Sequence, residues 1–284
     1  MLSKHISPDL QRGWTGLIST VVSAGRAARC IQRRGTSQAD YSRKSDDSPV
    51  TLADQEVERQ IHAYVQDTWP RAIFLGEEFG EQPLEGEHGE DDEQRENDDQ
   101  NAGAGLRFIV DPIDGTRAFI RDIPTWSVLV GVEFENRVIG GIAFLPVDDD
   151  LFIALEGQGT THNGRPCRVS NVDALSGAMV AAGGLGQFTD AGYGRSLLRI
   201  AKAAYSTRAF GDFANYRELL LGRVDAVVDP GVEVYDIAPV DILVREAGGQ
   251  VSDMTGAETI RGSGFFASNG LLHGAIQTLL IPDG

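Results

Sequence analysis

The run Asp111-Pro112-Ile113-Asp114-Gly115-Thr116 contains the residues of this chain whose types and spacing best suit catalysis. Its two carboxylates are three residues apart, and the proline between them stiffens the turn, so both can converge on one or two divalent cations. Gly115 lets the backbone approach a ligand closely, and the amides of Gly115 and Thr116 at a helix N-terminus suit a phosphate group. A Pro-x-Asp-Gly turn alone is common, but all six positions together would occur by chance in about one of ten thousand chains of this length. The run therefore indicates a metal and phosphate site.

Two further acidic positions lie upstream and downstream of this run. Glu77 follows a predicted strand, and Asp236 lies at the start of a predicted helix. An Asp at a helix start is most often an N-cap, and this is the favoured interpretation of Asp236 taken alone. Together with Asp111 and Asp114, however, these residues would form a cluster of four carboxylates, which is unfavourable unless metal ions neutralise it.

The elements that must position these residues follow from hydrophobic spacing. Apolar residues recur at helical intervals over 8–34 and again between Thr51 and Pro70, with Asp54 in the opening turn of the second helix. Strand-like runs at 72–75 and 106–110 each end in acidic residues. The other predicted elements are strands at 126–132, 138–145, 151–155, 179–182 and 224–228, and helices near 191–204, 213–221, 237–247 and 271–280. This alternation predicts a layered α/β fold, which we expect to form one domain over residues 1–284.

One segment has a composition unlike the rest. Residues 81–105 contain ten acidic side chains and one basic side chain, which leaves a net charge of −9, and they have almost no apolar residue to bury. Such a segment cannot offset the entropy lost on ordering. We therefore expect a disordered acidic loop on the surface.

The charge and cysteine content narrow the class of protein. The chain has 25 Lys and Arg against 42 Asp and Glu, which gives a formal charge of −17. This charge argues against nonspecific binding of nucleic acid or anionic lipid. It also implies that an anionic ligand needs a metal ion. Its two cysteines, Cys30 and Cys167, lack the spacing of a disulfide framework or a zinc site. The sequence shows neither a signal peptide nor an apolar stretch of about 18 residues, so we expect a cytoplasmic protein.

Beyond these local patterns, the sequence resembles the inositol monophosphatase-like family of the fructose-1,6-bisphosphatase superfamily, whose members are Mg²⁺-dependent phosphomonoesterases. The matching motifs occur in the family's order along nearly the whole chain. They are residues 76–78 (Gly-Glu-Glu), 111–116, 163–164 (Asn-Gly) followed by 169–170 (Val-Ser), and 235–238 (Tyr-Asp-Ile-Ala) leading into 246–249 (Glu-Ala-Gly-Gly). Within the family, residues 116–120, 124–126 and 208–212 look most like the histidinol-phosphatase branch.

The resemblance implies a set of metal ligands and a catalytic pair. One Mg²⁺ would be bound by Glu77, Asp111 and the carbonyl of Ile113, and a second by Asp111, Asp114 and Asp236, while a third, weaker ion would lie near Glu77. The catalytic residues would be Glu77, Thr116 and Asp54, with Thr116 and Asp54 paired to orient the attacking water. Without the resemblance, Asp54 reads as an ordinary carboxylate at a helix N-terminus.

The resemblance also implies a substrate class and an assembly. The substrate would be a small phosphate monoester. L-histidinol phosphate is the first choice of substrate, inositol 1-phosphate the second and a nucleotide 3′-phosphate the third. An inactive regulatory or scaffold protein on the same fold is a distant alternative. We expect a homodimer that is inhibited by Li⁺. We expect at least one of Asp229 and Glu233 to face the ammonium group of histidinol phosphate, and the equal alternative is that both are solvated loop charges. The predicted substrate residues are Asp114, Gly115, Thr116, Gly183, Gly184, Asp229 and Glu233.

Overall fold

The computed structural model describes residues 8–34, 41–43, 49–84 and 103–283, which form two β-sheets and the helices that cover them. The helices are α1 (Pro8–Arg33), α2 (Leu52–Thr68), α3 (Thr116–Ile120), α4 (Leu185–Asp190), α5 (Gly194–Ala203), α6 (Asp212–Leu220), α7 (Val234–Glu246) and α8 (His273–Gln277). The strands up to the middle of the chain are β1 (Tyr41–Arg43), β2 (Pro49–Thr51), β3 (Ile73–Gly76), β4 (Gly80–Pro83), β5 (Leu106–Asp114), β6 (Ser127–Phe134), β7 (Arg137–Leu145), β8 (Asp150–Leu155), β9 (Gly159–His162) and β10 (Arg165–Pro166). The later strands are β11 (Met179–Ala182), β12 (Ser206–Arg208), β13 (Ala226–Asp229), β14 (Gln250–Ser252) and β15 (Phe265–Ser268).

The larger sheet has eight strands in the order β10-β9-β8-β7-β6-β5-β3-β4. Strands β5 to β8 form an antiparallel meander, and β3 runs parallel to β5. Each strand of this meander overlaps a strand predicted from the sequence. The pairing of β5 with β6 shifts register between Asp111 and Asp114. A bulge of this kind re-aims side chains at the end of a strand. It places two acidic residues of the sequence motif at one end of the sheet.

The smaller sheet has five strands in the order β12-β11-β13-β15-β14. Its buried side chains on one face join those of α6, α7 and the larger sheet in one apolar cluster, and those on the other face pack with α5 and α8. On the far side of the larger sheet, α1 and α2 bury their apolar stripes. The layers are therefore helices, sheet, helices, sheet and helices, which confirms the layered α/β prediction.

Helix α7 lies close against the larger sheet because two strand residues opposite it are glycines. A Cβ at Gly131 would lie 2.8 Å from the Ala238 Cβ, and a Cβ at Gly141 would lie 2.6 Å from a side-chain carbon of Ile242. Contacts this short do not occur in folded proteins, so side chains at both positions would push the helix away. The glycines thus help to set the depth at which the first turn of α7, with Asp236, meets the end of β5.

The structure describes both ends of the segment that is predicted to be an acidic loop, residues 81–84 and 103–105. Glu81, Gln82 and Pro83 belong to β4, which pairs with β3, so the prediction of disorder from residue 81 is wrong at this end. Residues 103–105 form a turn that leads into β5. The strongly acidic part, residues 85–102, lies outside the described residues.

In the described part of the chain, no helix combines the length and the apolar character needed to cross a membrane.

Candidate active site

Three carboxylates converge where β5 ends and α7 begins. Asp111, Asp114 and Asp236 each offer one oxygen, and these oxygens all lie within 4.8 Å of one another. Asp111 and Asp114 are buried, with 2% and 7% of their surfaces exposed. Asp236 is 122 residues from Asp114 in the sequence, and the fold brings it to the two carboxylates of the motif. Three of the four carboxylates of the predicted cluster are thus in this group.

The electrostatics of this cluster are unfavourable in the absence of a cation. Burial, followed by the charges of Glu77, Asp114 and Asp236, raises the pKa of Asp111 well above its usual range. Burial and the charges of Asp212 and Asp236 do the same to the pKa of Asp114, and burial raises the pKa of Asp236 to about 6. Groups with such neighbours become fully charged together only when a positive ion lies between them. A donor set made of carboxylate oxygens fits a hard divalent cation such as Mg²⁺.

Hydrogen bonds fix the orientation of each carboxylate in the cluster. The backbone N–H of Ile113 donates to Asp111 Oδ1 at 3.0 Å, and the N–H of Glu233 donates to Asp236 Oδ2 at 2.8 Å. Asp114 Oδ2 accepts from the Ser127 hydroxyl and from the Phe213 N–H, both at 2.8 Å. The N-cap of α7 is Glu233 and not Asp236, so the N-cap interpretation of Asp236 is wrong. Asp236 is at the third position of the helix, from which it accepts a hydrogen bond from the N-cap amide while its carboxylate belongs to the cluster.

Asp54 and Thr116 meet beside the cluster. Asp54 is fully buried in the first turn of α2, where it accepts hydrogen bonds from the Thr51 N–H at 2.9 Å and the Thr51 hydroxyl at 2.5 Å. The Thr116 hydroxyl lies 3.4 Å from Asp54 Oδ1 and 3.1 Å from the Ile113 carbonyl oxygen. Burial, opposed by the two hydrogen bonds from Thr51, raises the pKa of Asp54 to about 7. The structure brings the predicted pair together, and Asp54 caps its helix as well.

Glu77 lies next to this cluster without belonging to its group of three. Its backbone N–H donates to the Val110 carbonyl at 3.1 Å, so Glu77 continues the pairing of β3 with β5 just before Asp111. Its charge is the largest charge effect on the pKa of Asp111. Its carboxylate is therefore near enough to Asp111 to disfavour the charged form of that residue.

Asp229 and Glu233, two of the predicted substrate residues, differ in burial. Asp229, at the end of β13, is 4% exposed, and a Cβ at Gly183 would overlap its carboxylate, so these two residues are in close contact. Glu233, in contrast, is exposed at the start of α7. Gly184, another predicted substrate residue, lies at the start of α4, where its N–H donates to Gln187 Oε1 at 2.6 Å. The alternative of a solvated loop charge fits Glu233, but it is wrong for the buried Asp229.

The buried carboxylate of Asp229 has one oxygen without a donor among the described residues and a raised pKa. Its Oδ1 is buried and has no hydrogen-bond partner among the described residues. Burial, followed by the charge of Asp236, raises its pKa to about 7. An acceptor buried without a donor is costly, and this oxygen lies against Gly183.

Two further residues of α6 approach the site, and the sequence reasoning did not assign either a role. Asp212 has a positive φ of 46°, and its carboxylate Oδ2 would lie 2.6 Å from a Cβ at Gly115, which itself has φ of 83°. The buried Tyr216 has a pKa raised by burial and then by the charges of Asp229, Asp236 and Asp114. The signal for Asp212 was its place in the motif at 208–212, whereas Tyr216 reads as an ordinary core residue of an amphipathic helix.

Comparisons with known proteins agree with this geometry. A profile of the inositol monophosphatase family matches residues 14–283. The histidinol-phosphatase of Mycobacterium tuberculosis is 32% identical over 242 residues, which cover 84% of this chain and 86% of that protein. The Nus factor SuhB of Escherichia coli is 30% identical over 253 residues, with 84% and 86% covered. The crystal structure of the extragenic suppressor protein suhB from Bartonella henselae superposes with a TM-score of 0.78 at 27% identity, covering 94% of this chain and 97% of that one. These matches confirm the resemblance drawn from the motifs: the chain belongs to the inositol monophosphatase family.

Proposed function

We propose that this protein is a Mg²⁺-dependent phosphomonoesterase whose substrate is L-histidinol phosphate. The observation that carries the reaction class is the cluster of Asp111, Asp114 and Asp236, whose oxygens lie within 4.8 Å of one another beside the Asp54 and Thr116 pair. In this proposal Glu77, Asp111 and the Ile113 carbonyl bind one Mg²⁺ ion, Asp111, Asp114 and Asp236 bind a second, and a third ion lies near Glu77.

The chemistry divides between the ions and the chain. Bound Mg²⁺ lowers the pKa of a water molecule and neutralises charge on the phosphate and the leaving alkoxide. In this proposal Thr116 accepts a hydrogen bond from the attacking water. It donates its own proton to Asp54 Oδ1, 3.4 Å away, rather than to the Ile113 carbonyl oxygen at 3.1 Å, which would bind an ion. Asp54 Oδ1 is placed to accept a proton passed through the Thr116 hydroxyl.

The phosphate end of the substrate would lie over the start of α3. Gly115 lacks a side chain and has φ of 83°, and the Asp212 carboxylate already lies where its Cβ would be, so the phosphate would approach this backbone beside Asp212. Gly115, Thr116 and Asp114 are the residues that we expect to contact the phosphate. This contact would direct the organic part of the substrate toward Gly183, Gly184 and Asp229.

The substrate assignment depends on the charge of Asp229. L-histidinol phosphate carries an ammonium group, whereas inositol 1-phosphate offers neutral hydroxyls. A buried carboxylate with one oxygen lacking a donor among the described residues fits an ammonium better than a hydroxyl, because the hydrogen bond is charge-assisted. The 32% identity to a histidinol-phosphatase supports the same choice.

A phosphate-release assay tests this proposal. The purified protein, with Mg²⁺, is given L-histidinol phosphate, inositol 1-phosphate and a nucleotide 3′-phosphate in parallel, and kcat/KM is measured for each. We expect the highest kcat/KM for L-histidinol phosphate. A higher value for inositol 1-phosphate would contradict the substrate assignment but keep the reaction class, and no release from any of the three would favour an inactive regulatory protein on this fold.

A further inference from the structure

Helix α2 presents a second buried carboxylate one turn after Asp54. Glu58 has no exposed surface, and it lies on the same side of the helix as Asp54 because residues four apart share a face. No charged partner of Glu58 is found among the described ion pairs, so its carboxylate depends on other donors.

Those donors are two consecutive backbone amides of the turn after β3. The N–H of Glu78 donates to Glu58 Oε2 and the N–H of Phe79 donates to Glu58 Oε1, each at 2.9 Å. Both oxygens of one carboxylate thus hold the same turn. Hydrogen bonds to an ionised acceptor are about twice as strong as those between neutral groups.

Gly76, at the end of β3, shows how closely β3 packs against the Glu58 side chain of α2. A Cβ at Gly76 would overlap the Glu58 carboxylate, with Oε1, the side-chain carbon and Oε2 as its three nearest neighbours. Only glycine at this position lets the carboxylate reach the turn. The first residue of the Gly-Glu-Glu motif therefore has a steric role toward α2.

The turn held by Glu58 begins at Glu77, and Glu77 is held on its other side by β5. The Glu77 N–H donates to the Val110 carbonyl, and the next two amides donate to Glu58. Fixing the backbone on both sides of Glu77 limits the directions that its side chain can take. Burial raises the pKa of Glu58 to about 7 against the effect of the two amide hydrogen bonds, so a nearby cation would also favour its charged form.

We infer that Glu58 is a positioning residue for Glu77: by holding the amides of Glu78 and Phe79 it orients the Glu77 carboxylate toward Mg²⁺ and so sets the affinity of the protein for that ion. This inference rests on the proposed function, in which Glu77 is a Mg²⁺ ligand. Loss of a partner that orients a metal ligand typically weakens metal affinity by about 10–100-fold.

The test compares Glu58→Gln with Glu56→Gln, a matched change two residues away on the same helix. Glu56 is partly exposed and pairs with Arg59 at 2.8 Å, so its loss leaves the turn unchanged. The Mg²⁺ dissociation constant is measured by calorimetry on the substrate-free protein, with Tm recorded in EDTA. We expect Glu58→Gln to weaken Mg²⁺ binding by at least about tenfold. Glu56→Gln should bind as the wild type does.

A purely structural role for Glu58 gives a different result. In that case Glu58→Gln would lower Tm but bind Mg²⁺ within twofold of the wild type, and the inference would be overturned. If Glu58→Gln does not fold, Gly76→Ala displaces the same carboxylate from the opposite side, and it must show the same loss of affinity. Failure of the proposed function is distinguishable, because the wild type itself would then bind no Mg²⁺ and Glu77→Gln would change nothing.

Discussion

Replacing Asp229 by Asn tests whether this carboxylate is charged at a cost in the folded protein. Burial raises its pKa from 3.8 to about 7 in the metal-free protein. Each pKa unit corresponds to about 1.4 kcal/mol, so the charged form costs the fold about 4 kcal/mol at alkaline pH. Asn is neutral and of nearly the same shape, and it retains an oxygen that can accept a hydrogen bond.

The sign of the pH dependence follows from the two pKa values. Below pH 3.8 Asp229 is protonated whether the chain is folded or not, and no cost arises. Between about pH 4 and pH 7 the unfolded chain releases the proton while the folded chain retains it, so the free energy of unfolding falls as pH rises. Above about pH 7 both states are charged and the full cost is present. Asp229→Asn therefore stabilises the protein little at low pH and most at high pH.

Urea unfolding in EDTA, at pH 5 and pH 8.5, measures this effect. We expect the gain in unfolding free energy from Asp229→Asn to be larger at pH 8.5 by about 2–3 kcal/mol. Asp190→Asn is the matched control, because Asp190 is exposed on α4 and should show no such difference. An equal gain at both pH values, or a loss at both, would refute the conclusion that Asp229 is ionised against a burial cost.

Three more predictions follow from the same geometry. Asp229→Asn should lower kcat/KM for L-histidinol phosphate by at least about tenfold and leave that for an aryl phosphate unchanged, since a charge-assisted hydrogen bond contributes about 1.5–3 kcal/mol. Glu233→Gln changes an exposed residue and should alter kcat/KM little for either substrate. Equal losses on both substrates in Asp229→Asn would point to damage of the fold. Asp111→Asn should abolish phosphate release yet raise Tm in EDTA, because it removes one charge from a buried acidic cluster; wild-type turnover by this variant would contradict the metal assignment. Replacing residues 85–99 by a short Gly/Ser linker should leave kcat/KM within a few-fold, and a collapse of activity in a folded variant would show that this segment acts at the site.

The sequence alone predicted which acidic residues come together better than it predicted their exact geometry. The motif at 111–116 and the downstream Asp236 are sufficient to predict a shared acidic cluster, because a hard cation such as Mg²⁺ prefers carboxylate oxygens as ligands. The register shift between Asp111 and Asp114 was not predictable, since it depends on the pairing of β5 with β6. Burial of Asp229 was equally hidden, because a short loop carboxylate reads the same whether it is solvated or enclosed.

The helices and strands also differ in how well the sequence predicts them. Long amphipathic stretches such as α1 and the meander of β5 to β8 have strong periodic signals, and the structure confirms them. Short elements have too few residues to show a period, and so α4, β12 and β14 were not predicted. Glu58 was also missed, because its partners are backbone amides 20 and 21 residues away, and backbone donors leave no pattern in a sequence.

The most direct test of the proposed activity is a Mg²⁺ titration of EDTA-treated protein with L-histidinol phosphate as substrate. If Asp111, Asp114 and Asp236 act through bound ions, phosphate release should be absent in EDTA, and it should return as Mg²⁺ is added back to the wild type but not to Asp111→Asn. Full phosphate release in excess EDTA, or recovery by Asp111→Asn equal to that of the wild type, would contradict the proposal of a metal-dependent phosphatase.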